Sequence, residues 1–159
     1  MIYVTLGTQA RDFSRFMKML ESLVKELKIC DEIIAQTGFT TYKPDCITCF
    51  DFVPEGKYQE YMNTADIVIT HAGTGAIFSA LKKGKKVIAV ARLKKYGEMV
   101  NDHQQEVVKK LSNEGYILDG TYSIIEAWKK IDGFTPRKFE FKCTLPQEIG
   151  KKIDSYLFK

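Results

Sequence analysis

The sequence predicts an α/β fold, a Rossmann-like parallel sheet with helices on both faces. Two observations lead to this prediction. Short β-type apolar runs recur along the chain. Between them lie stretches whose apolar residues are spaced three and four apart, as on one face of a helix. Strands that alternate with helices in this way pair in parallel. Ligands of such sheets bind beyond the carboxyl ends of the strands.

The first half of the chain supplies three predicted strands and two predicted helices. The run IYVTL predicts a strand at 2–6. A helix over 12–28 follows, because its apolar residues form one stripe from Phe13 to Leu27, and Asp12 is a candidate N-cap. EIIAQT predicts a strand at 32–37 and CITCFDFV another at 46–53. A short helix is expected at 58–65.

The second half continues the alternation. We expect strands at 66–70, 86–91 and 115–118, with helices at about 75–83 and 102–112 between them. Two more helices are expected near 122–132 and 146–157, and Pro146 suits a first helical turn. The last helix would carry an apolar stripe of Ile149, Ile153, Tyr156 and Leu157. This stripe would pack either on its own domain or onto another protein.

The length predicts one domain over residues 1–159. The chain is 45% hydrophobic and 28% charged, which is ordinary for a globular protein. Its apolar runs are too short to span a membrane, and the first residues already read as a strand rather than a signal peptide. We therefore expect a cytoplasmic protein.

Basic residues are unevenly distributed. The net charge is +4, yet between Lys82 and Lys110 nine Lys or Arg residues face only three Asp or Glu residues. A local surplus of this size suits an anionic ligand or an anionic membrane surface. A solvated helix face would show the same pattern, so both interpretations stay open.

The four cysteines are scattered, which fits a reducing compartment. Cys46 and Cys49 have the CxxC spacing of redox and zinc sites. The sequence has no second CxxC pair, and neither histidine is near this one. We interpret the pair as part of a strand with alternating side chains.

The segment THAGTGA, residues 70–76, has the strongest signal for chemistry. It follows a predicted strand and opens a predicted helix, and free N–H groups at a helix start favour phosphate. Gly73 and Gly75 would let the backbone approach a ligand, while Thr74 and His71 add polar groups. The spacing of a P-loop is absent. A glycine-rich packing turn is the structural alternative.

Two further loops at predicted strand ends carry polar residues. Gly7, Thr8 and Gln9 follow the first strand, without the GxGxxG spacing of a dinucleotide site. The long segment 91–107 is basic and polar, and its cluster at 101–105 could bond sugar hydroxyls, although Asp102 is equally a candidate N-cap. Asp102 and His103 are adjacent and do not form a dyad by spacing. No DxD-like motif is present, so we expect no metal.

Several motifs occur in a fixed order: VTLGTQ, QTG, FDFVP, ADIVITHAGTGAI, YGEMVNDHQQE and GYIL. In this combination the chain resembles the C-terminal domain of glycosyltransferase family 28, from residue 1 to about 120. It looks most like the stand-alone donor-binding subunit of bacterial capsule and exopolysaccharide clusters. It is also similar to the soluble subunit of the eukaryotic dolichol-linked N-acetylglucosamine transferase.

The resemblance implies the C-terminal half of a GT-B enzyme that binds a UDP-sugar. The expected activity is inverting transfer of a hexose to a polyprenyl-diphosphate-linked saccharide in surface polysaccharide biosynthesis. The partner would be a membrane-anchored, acceptor-binding subunit that supplies the catalytic base and holds this chain at the inner face of the membrane. No cofactor beyond the UDP-sugar substrate is expected, and no nucleic acid.

The resemblance also implies site residues. Gly7, Thr8 and Gln9 would lie near the diphosphate and sugar, and Phe52 and Val53 near the uracil. The remaining nucleotide-sugar-binding residues would be His71, Gly73, Thr74, Gly75, Ser79, Arg92, Asn101, Asp102, His103, Gln104 and Gln105.

The chain departs from the family pattern at Ser79. The family commonly has a Glu there that holds both ribose hydroxyls, whereas Ser has a single hydroxyl and no charge. A non-catalytic accessory protein with weak or no donor binding is therefore an alternative. A half of a nucleotide-sugar epimerase-like enzyme is a weaker one, because those enzymes carry both lobes in one chain.

Overall fold

The computed structural model describes residues 1–138. The expected helix at 146–157 and Cys143 lie outside the described residues. The strands are β1 (Ile2–Thr5), β2 (Ile33–Gln36), β3 (Thr48–Phe50), β4 (Ile67–Thr70), β5 (Lys86–Ala89) and β6 (Leu118–Asp119). The α-helices are α1 (Ser14–Leu27), α2 (Glu55–Thr64), α3 (Thr74–Lys82), α4 (His103–Asn113) and α5 (Ile124–Trp128), and Lys94–Tyr96 form a 3₁₀ turn.

All pairings in this sheet are parallel, in the order β3-β2-β1-β4-β5-β6. The prediction of a Rossmann-like fold is confirmed. The chain builds outward from β1 in one direction and from β4 in the other, so the order reverses between these two strands. Thr5 at the end of β1 lies opposite both Gln36 and Thr70. The three strands therefore end level, and the loops after β1 and β4 diverge to leave a crevice.

Each face of the sheet buries its own core. Alternate residues of β1 point to opposite faces, so Ile2 and Val4 pack under α1 and α5, whereas Tyr3 packs under the three other α-helices. The stripe predicted for the first helix is confirmed at Phe16, Met17, Leu20 and Leu23, which are buried, but not at its last residue, Leu27, which is exposed. These two cores hold the strand ends in a fixed register.

Several predicted boundaries were wrong. The strand expected at 46–53 shortens to Thr48–Phe50, because β3 pairs only with β2 and the following residues leave the sheet edge. The helix expected at 58–65 begins at Glu55, directly after Pro54, which suits a position before the first helical turn. The strand expected at 115–118 moves to Leu118–Asp119, and Ser123 caps a helix shorter than the one expected at 122–132.

Asp12 is not the N-cap of α1, a position that Phe13 occupies. Its carboxylate instead accepts hydrogen bonds from the backbone N–H groups of Ser14, at 3.0 Å, and Thr41, at 2.9 Å. Burial alone would raise the pKa of Asp12, but the hydrogen bonds from Thr41 and Ser14 outweigh it and lower that pKa to about 2. The carboxylate therefore joins the start of α1 to the loop after β2.

None of the helices in residues 1–138 is long and apolar enough to cross a lipid bilayer.

Burial predicts a contrast in stability within α1. Phe16→Ala, at a fully buried position, is expected to lower the free energy of unfolding by ~3–5 kcal/mol because it leaves a cavity. Leu27→Ala, on the same helix but 37% exposed, should cost no more than about 1 kcal/mol. Urea denaturation followed by circular dichroism measures both. Equal losses would contradict the packing described for this face.

Candidate functional site

A cleft of about 360 Å³ opens at the carboxyl ends of β1, β2 and β4, where the strand order reverses. Two loops, after β1 and after β4, and the first turns of α2 and α3 form its walls. Its lining residues are Thr5, Gly7, Thr8, Gln36, Phe52, Val53, Glu55, Tyr58, His71, Gly73, Gly75 and Ala76. The structure thus brings together seven of the residues proposed from the sequence: Gly7, Thr8, Phe52, Val53, His71, Gly73 and Gly75.

The imidazole of His71 is wedged between the two loops. Its Nδ1 lies 3.0 Å from the carbonyl oxygen of Thr5, and because a carbonyl only accepts, Nδ1 carries the proton. Nε2 lies between Gly7 and Gly73. A Cβ atom on Gly7 would come within 2.5 Å of Nε2, and one on Gly73 would also overlap the ring. These glycines therefore make room for the histidine ring, a reason that the sequence did not reveal.

The ring of His71 is neutral in the free protein. Burial lowers the pKa of His71 below its ordinary value, and the charge of Arg92 acts in the same direction. The hydrogen bond to the Thr5 carbonyl opposes these effects without cancelling them. In this tautomer the lone pair of Nε2 is at the cleft between the two glycines.

The start of α3 is open. Gly73 occupies the N-cap position and no side chain caps the helix. Within residues 1–138, the N–H groups of Thr74, Gly75 and Ala76 have no hydrogen-bond acceptor. Gly75 and Ala76 lie on the cleft wall, and a Cβ atom on Gly75 would meet only open space. Unpaired N–H groups and the positive end of the helix dipole make this wall a site for an anion.

The turn that leads into α3 is strained. Ala72 adopts a φ of 63°, a left-handed conformation that costs a non-glycine residue roughly 1–2 kcal/mol. Its side chain is nevertheless buried, at 2% exposure, in the core under α3. Packing therefore holds the backbone of Ala72 in a conformation that its own preference disfavours. This conformation sets the direction of the chain between β4 and α3.

Aromatic side chains form the opposite end of the cleft. Phe52 is 49% exposed and packs edge-on against Phe39, with ring centroids 5.3 Å apart. Gln36 anchors the same segment, because its Oε1 accepts from the N–H of Val53 at 3.4 Å. An exposed ring beside a fixed backbone offers a flat apolar surface for another planar ring.

Five lining residues were missed from the sequence: Thr5, Gln36, Glu55, Tyr58 and Ala76. Thr5 and Gln36 end their strands, so the rule that ligands bind beyond strand carboxyl ends could have found them. Glu55 was missed because the helix was expected to begin three residues later.

Arg92 does not line the cleft, but it contacts the loop after β1 on the side away from the cleft. Its guanidinium is 1% exposed and packs 4.5 Å from the ring centroid of Phe13. It donates to the carbonyl oxygens of Arg11 and Asp12, at 3.1 and 3.2 Å, and more weakly to that of Leu6, at 3.4 Å. Arg92 therefore fixes the loop after β1, whose first residues line the cleft.

Arg15 makes the reciprocal link from α1 to the loop after β5. It pairs with Glu98 through two bonds, Nε to Oε1 at 2.8 Å and Nη2 to Oε2 at 3.0 Å. It also donates to the carbonyl oxygens of Ala91 and Thr121. The long loop after β5 is thus held against α1. We call Arg15, Arg92 and Glu98 the arginine tie.

The polar side chains at 101–105 are engaged by neighbouring groups of the protein. Gln104 accepts from the N–H of Arg92, and Asp102 from the N–H of Lys94. Asp102 holds the N-cap position of α4, as expected, but its carboxylate does not cap the helix. The other members pair as follows: Asn101 with the N–H of His103, His103 with Glu106, and Gln105 with Tyr122.

None of this cluster lines the cleft, and neither do Gln9, Thr74 or Ser79. Thr74 is exposed at the first position of α3, and Ser79 is half-buried one turn beyond Gly75.

Comparison with known proteins identifies a family. The model of the glycosyltransferase family 28 C-terminal domain matches residues 1–140. A human protein, UDP-N-acetylglucosamine transferase subunit ALG13, is 30% identical over 131 residues, covering 78% of this chain and 11% of that protein. The Candida glabrata protein of the same name is 29% identical over 113 residues, covering 69% of this chain and 54% of that protein. The chain thus spans about half or less of these relatives.

Solved structures agree on the fold. An NMR solution structure of ALG13 aligns with a TM-score of 0.61 at 18% identity, covering 92% of each chain. The crystal structure of Acinetobacter baumannii MurG aligns with a TM-score of 0.55 at 17% identity, covering 82% of this chain and 40% of that one. At such identities the likeness shows the architecture alone.

Steric contact with His71 yields a prediction for the glycines. Gly73→Ala is expected to destabilise the fold by ~1–3 kcal/mol, because the ring must give up its bond to Thr5 to avoid the new methyl group. In a His71→Ala background the same substitution should cost almost nothing. Thermal and urea unfolding of the four proteins in this cycle measures the coupling.

Gly75→Ala is the matched control in the same turn, since its methyl group would enter open space within a helix. It should leave stability unchanged or raise it by up to ~1 kcal/mol. Additive effects of Gly73→Ala and His71→Ala would show that the ring does not fill the space beside Gly73.

Proposed function

We propose that this chain, which belongs to the glycosyltransferase family 28 C-terminal domain family, binds the UDP-sugar donor of a two-chain glycosyltransferase. Support comes from the family match over residues 1–140 and from relatives whose name describes a subunit of a UDP-N-acetylglucosamine transferase. The cleft at the strand-order reversal is the donor site.

One observation supports the proposal most: the uncapped start of α3 on the cleft wall. Its free N–H groups at 74–76 receive the diphosphate of the donor, which approaches closely because Gly75 has no side chain. Hydrogen bonds to a charged group are worth roughly 1.5–3 kcal/mol each. During transfer, negative charge builds up on the departing UDP, so the same donors stabilise the transition state.

The remaining walls suit the nucleoside. The exposed face of Phe52 takes the uracil, with the backbone of Val53 alongside. The ribose lies between the base and the diphosphate, where Glu55 and Tyr58 line the cleft. Glu55 offers a carboxylate for the ribose hydroxyls. Ser79 does not take this role, because it lies further along α3 and does not line the cleft.

Chemistry is completed by a second polypeptide. We infer that a membrane-anchored partner binds a polyprenyl-diphosphate-linked saccharide, supplies the base that deprotonates the acceptor hydroxyl, and holds this chain at the inner face of the membrane. Transfer of a hexose with inversion follows. The human and Candida glabrata relatives are eukaryotic, so the expected capsule or exopolysaccharide pathway has no support in them and stays a prediction.

A non-catalytic accessory role is the second candidate. The observation that favours it is the position of Ser79, which is half-buried and off the cleft wall. Such a protein would keep the fold and the partner surface without gripping the ribose.

Titration with UDP and UDP-N-acetylglucosamine tests the donor site. Calorimetry should detect binding to the wild-type chain, and Gly75→Val should weaken it at least tenfold by filling the space before the free N–H groups. Gly56→Val is the matched control, since Gly56 lies in the first turn of α2, also faces open space and does not line the cleft. Absence of binding by the wild-type chain, even together with partner co-purified from membranes, would favour the accessory role.

Donor affinity should depend on pH through His71. In the free protein its pKa lies below 6.5, and a diphosphate beside Nε2 raises that pKa by favouring the imidazolium. Binding therefore takes up a proton. Affinity for UDP-N-acetylglucosamine therefore rises as the pH falls from the pKa of His71 in the complex to its pKa in the free protein. Within this range, each decrease of one pH unit raises the affinity tenfold.

Calorimetry in two buffers of different ionisation enthalpy measures this proton uptake directly. A UDP-sugar is the ligand of choice because its diphosphate, unlike that of UDP, does not titrate near neutral pH. His71→Gln should abolish the uptake. Uptake that persists in this variant would assign the proton to another group.

A further inference from the structure

A second groove, of about 710 Å³, adjoins the loop after β1. That loop contributes to both cavities, because its first residues line the donor cleft and its last residues, Arg11 and Asp12, line the groove. One side of α1 and the loop after β5 form the other walls. The remaining lining residues are Ser14, Arg15, Lys18, Met19, Ser22, Tyr96, Gly97 and Glu98.

Both acidic side chains of the groove are engaged by hydrogen-bond donors. The carboxylate of Asp12 accepts hydrogen bonds from the backbone and hydroxyl groups of Ser14 and Thr41. Glu98 is only 7% exposed, and it accepts two bonds from Arg15 and one from the N–H of Leu93 at 2.9 Å. Among residues 1–138, Asp12 accepts only from neutral groups and keeps its negative charge, whereas the charge of Glu98 is balanced by Arg15.

Two basic side chains of the groove have no anionic partner. Across residues 1–138, neither the guanidinium of Arg11 nor the ammonium of Lys18 makes a hydrogen bond or an ion pair. The ammonium of Lys18 lies 5.4 Å from the ring centroid of Tyr42. Within the described part of the chain, two cations without an anionic partner, Arg11 and Lys18, therefore exceed the one unpaired carboxylate, Asp12, in a groove beside the site that we assign to a diphosphate.

Apolar surface accompanies these charges. Met19 lies one residue after Lys18 on α1, and the ring of Tyr96 forms part of the facing wall. Tyr96 is held in place by Arg15 and Lys95, whose charges lie 5.1 and 4.8 Å from its centroid. Cations beside a thioether and an aromatic ring suit a ligand that joins an anion to a hydrocarbon chain.

We propose that this groove binds the prenyl diphosphate end of the acceptor, with Arg11 and Lys18 on the phosphates and Met19 and Tyr96 along the first isoprene units. The inference rests on the proposed function. The acceptor saccharide must reach the sugar of the bound donor, and the loop after β1 connects the two sites directly. The donor-binding chain thereby contributes to acceptor recognition, which would otherwise fall entirely to the partner.

NMR of the full-length ¹⁵N-labelled chain tests the groove, with geranyl diphosphate as the probe and UDP present throughout. Geranyl diphosphate should shift amide signals at 11–22 and 96–98. UDP alone should shift those at 7–8 and 73–76, so each spectrum reports the two sites separately. If UDP shifts its signals but geranyl diphosphate does not shift those of the groove, the groove assignment is wrong and the donor site stands. If geranyl diphosphate shifts the groove signals but UDP shifts none, the proposed function is wrong.

Two double variants distinguish specific binding in the groove from nonspecific attraction to the positive charge of the protein. Arg11→Gln combined with Lys18→Gln should weaken geranyl diphosphate at least tenfold without changing the UDP response. Lys109→Gln with Lys110→Gln removes the same charge from exposed positions on α4 and should have no effect. Equal weakening in both double variants would overturn the proposal.

Inorganic pyrophosphate distinguishes the source of the diphosphate. It lacks the isoprene chain, so it should shift the same signals only at much higher concentration. An equal response to pyrophosphate would reassign the groove to free diphosphate and overturn the acceptor assignment. Melting temperatures of all variants establish that the folded chain is being compared.

Discussion

The arginine tie is the constraint on which the functional edge of the sheet depends. Arg92, in the loop after β5, holds the loop after β1. Arg15, on the helix that follows the loop after β1, holds the loop after β5. Arg92 is a buried cation whose strongest bonds are to carbonyl oxygens, and within residues 1–138 its Nε has no partner. Burying a cation without an anionic partner costs folding free energy. We therefore infer that the position of the loop after β1 is important for function.

The same edge carries a second fixed spacing, between the loops after β1 and β4. His71 fills the gap that Gly7 and Gly73 leave, and it is bonded to the end of β1 through Thr5. The strained backbone of Ala72 then turns the chain into α3. Contacts within the chain therefore fix the position of the start of α3, and a fixed site lowers the entropic cost of binding a ligand.

Simple geometry predicted the fold class and five of the residues that meet in the cleft, whereas Phe52 and Val53 came from the family resemblance. Buried runs give strands, and the carboxyl ends of parallel strands converge at one edge. Sequence reasoning failed where long-range packing decides. A polar loop gives no local signal that Arg92 will be buried under the residues before α1, and the glycines beside His71 read as ligand contacts rather than as space for a ring.

The cleft is open to solvent, since Thr8, Phe52 and Gly75 line it and are all exposed. On the proposed function, a donor bound there stays in contact with bulk water and faces no base until another chain covers it. Reactive nucleotide-sugars are prone to wasteful hydrolysis when a dry, base-equipped pocket admits water in place of the acceptor. On the same proposal, an enzyme divided at this surface reacts only when the donor and the partner chain are both bound, so neither chain alone consumes the donor.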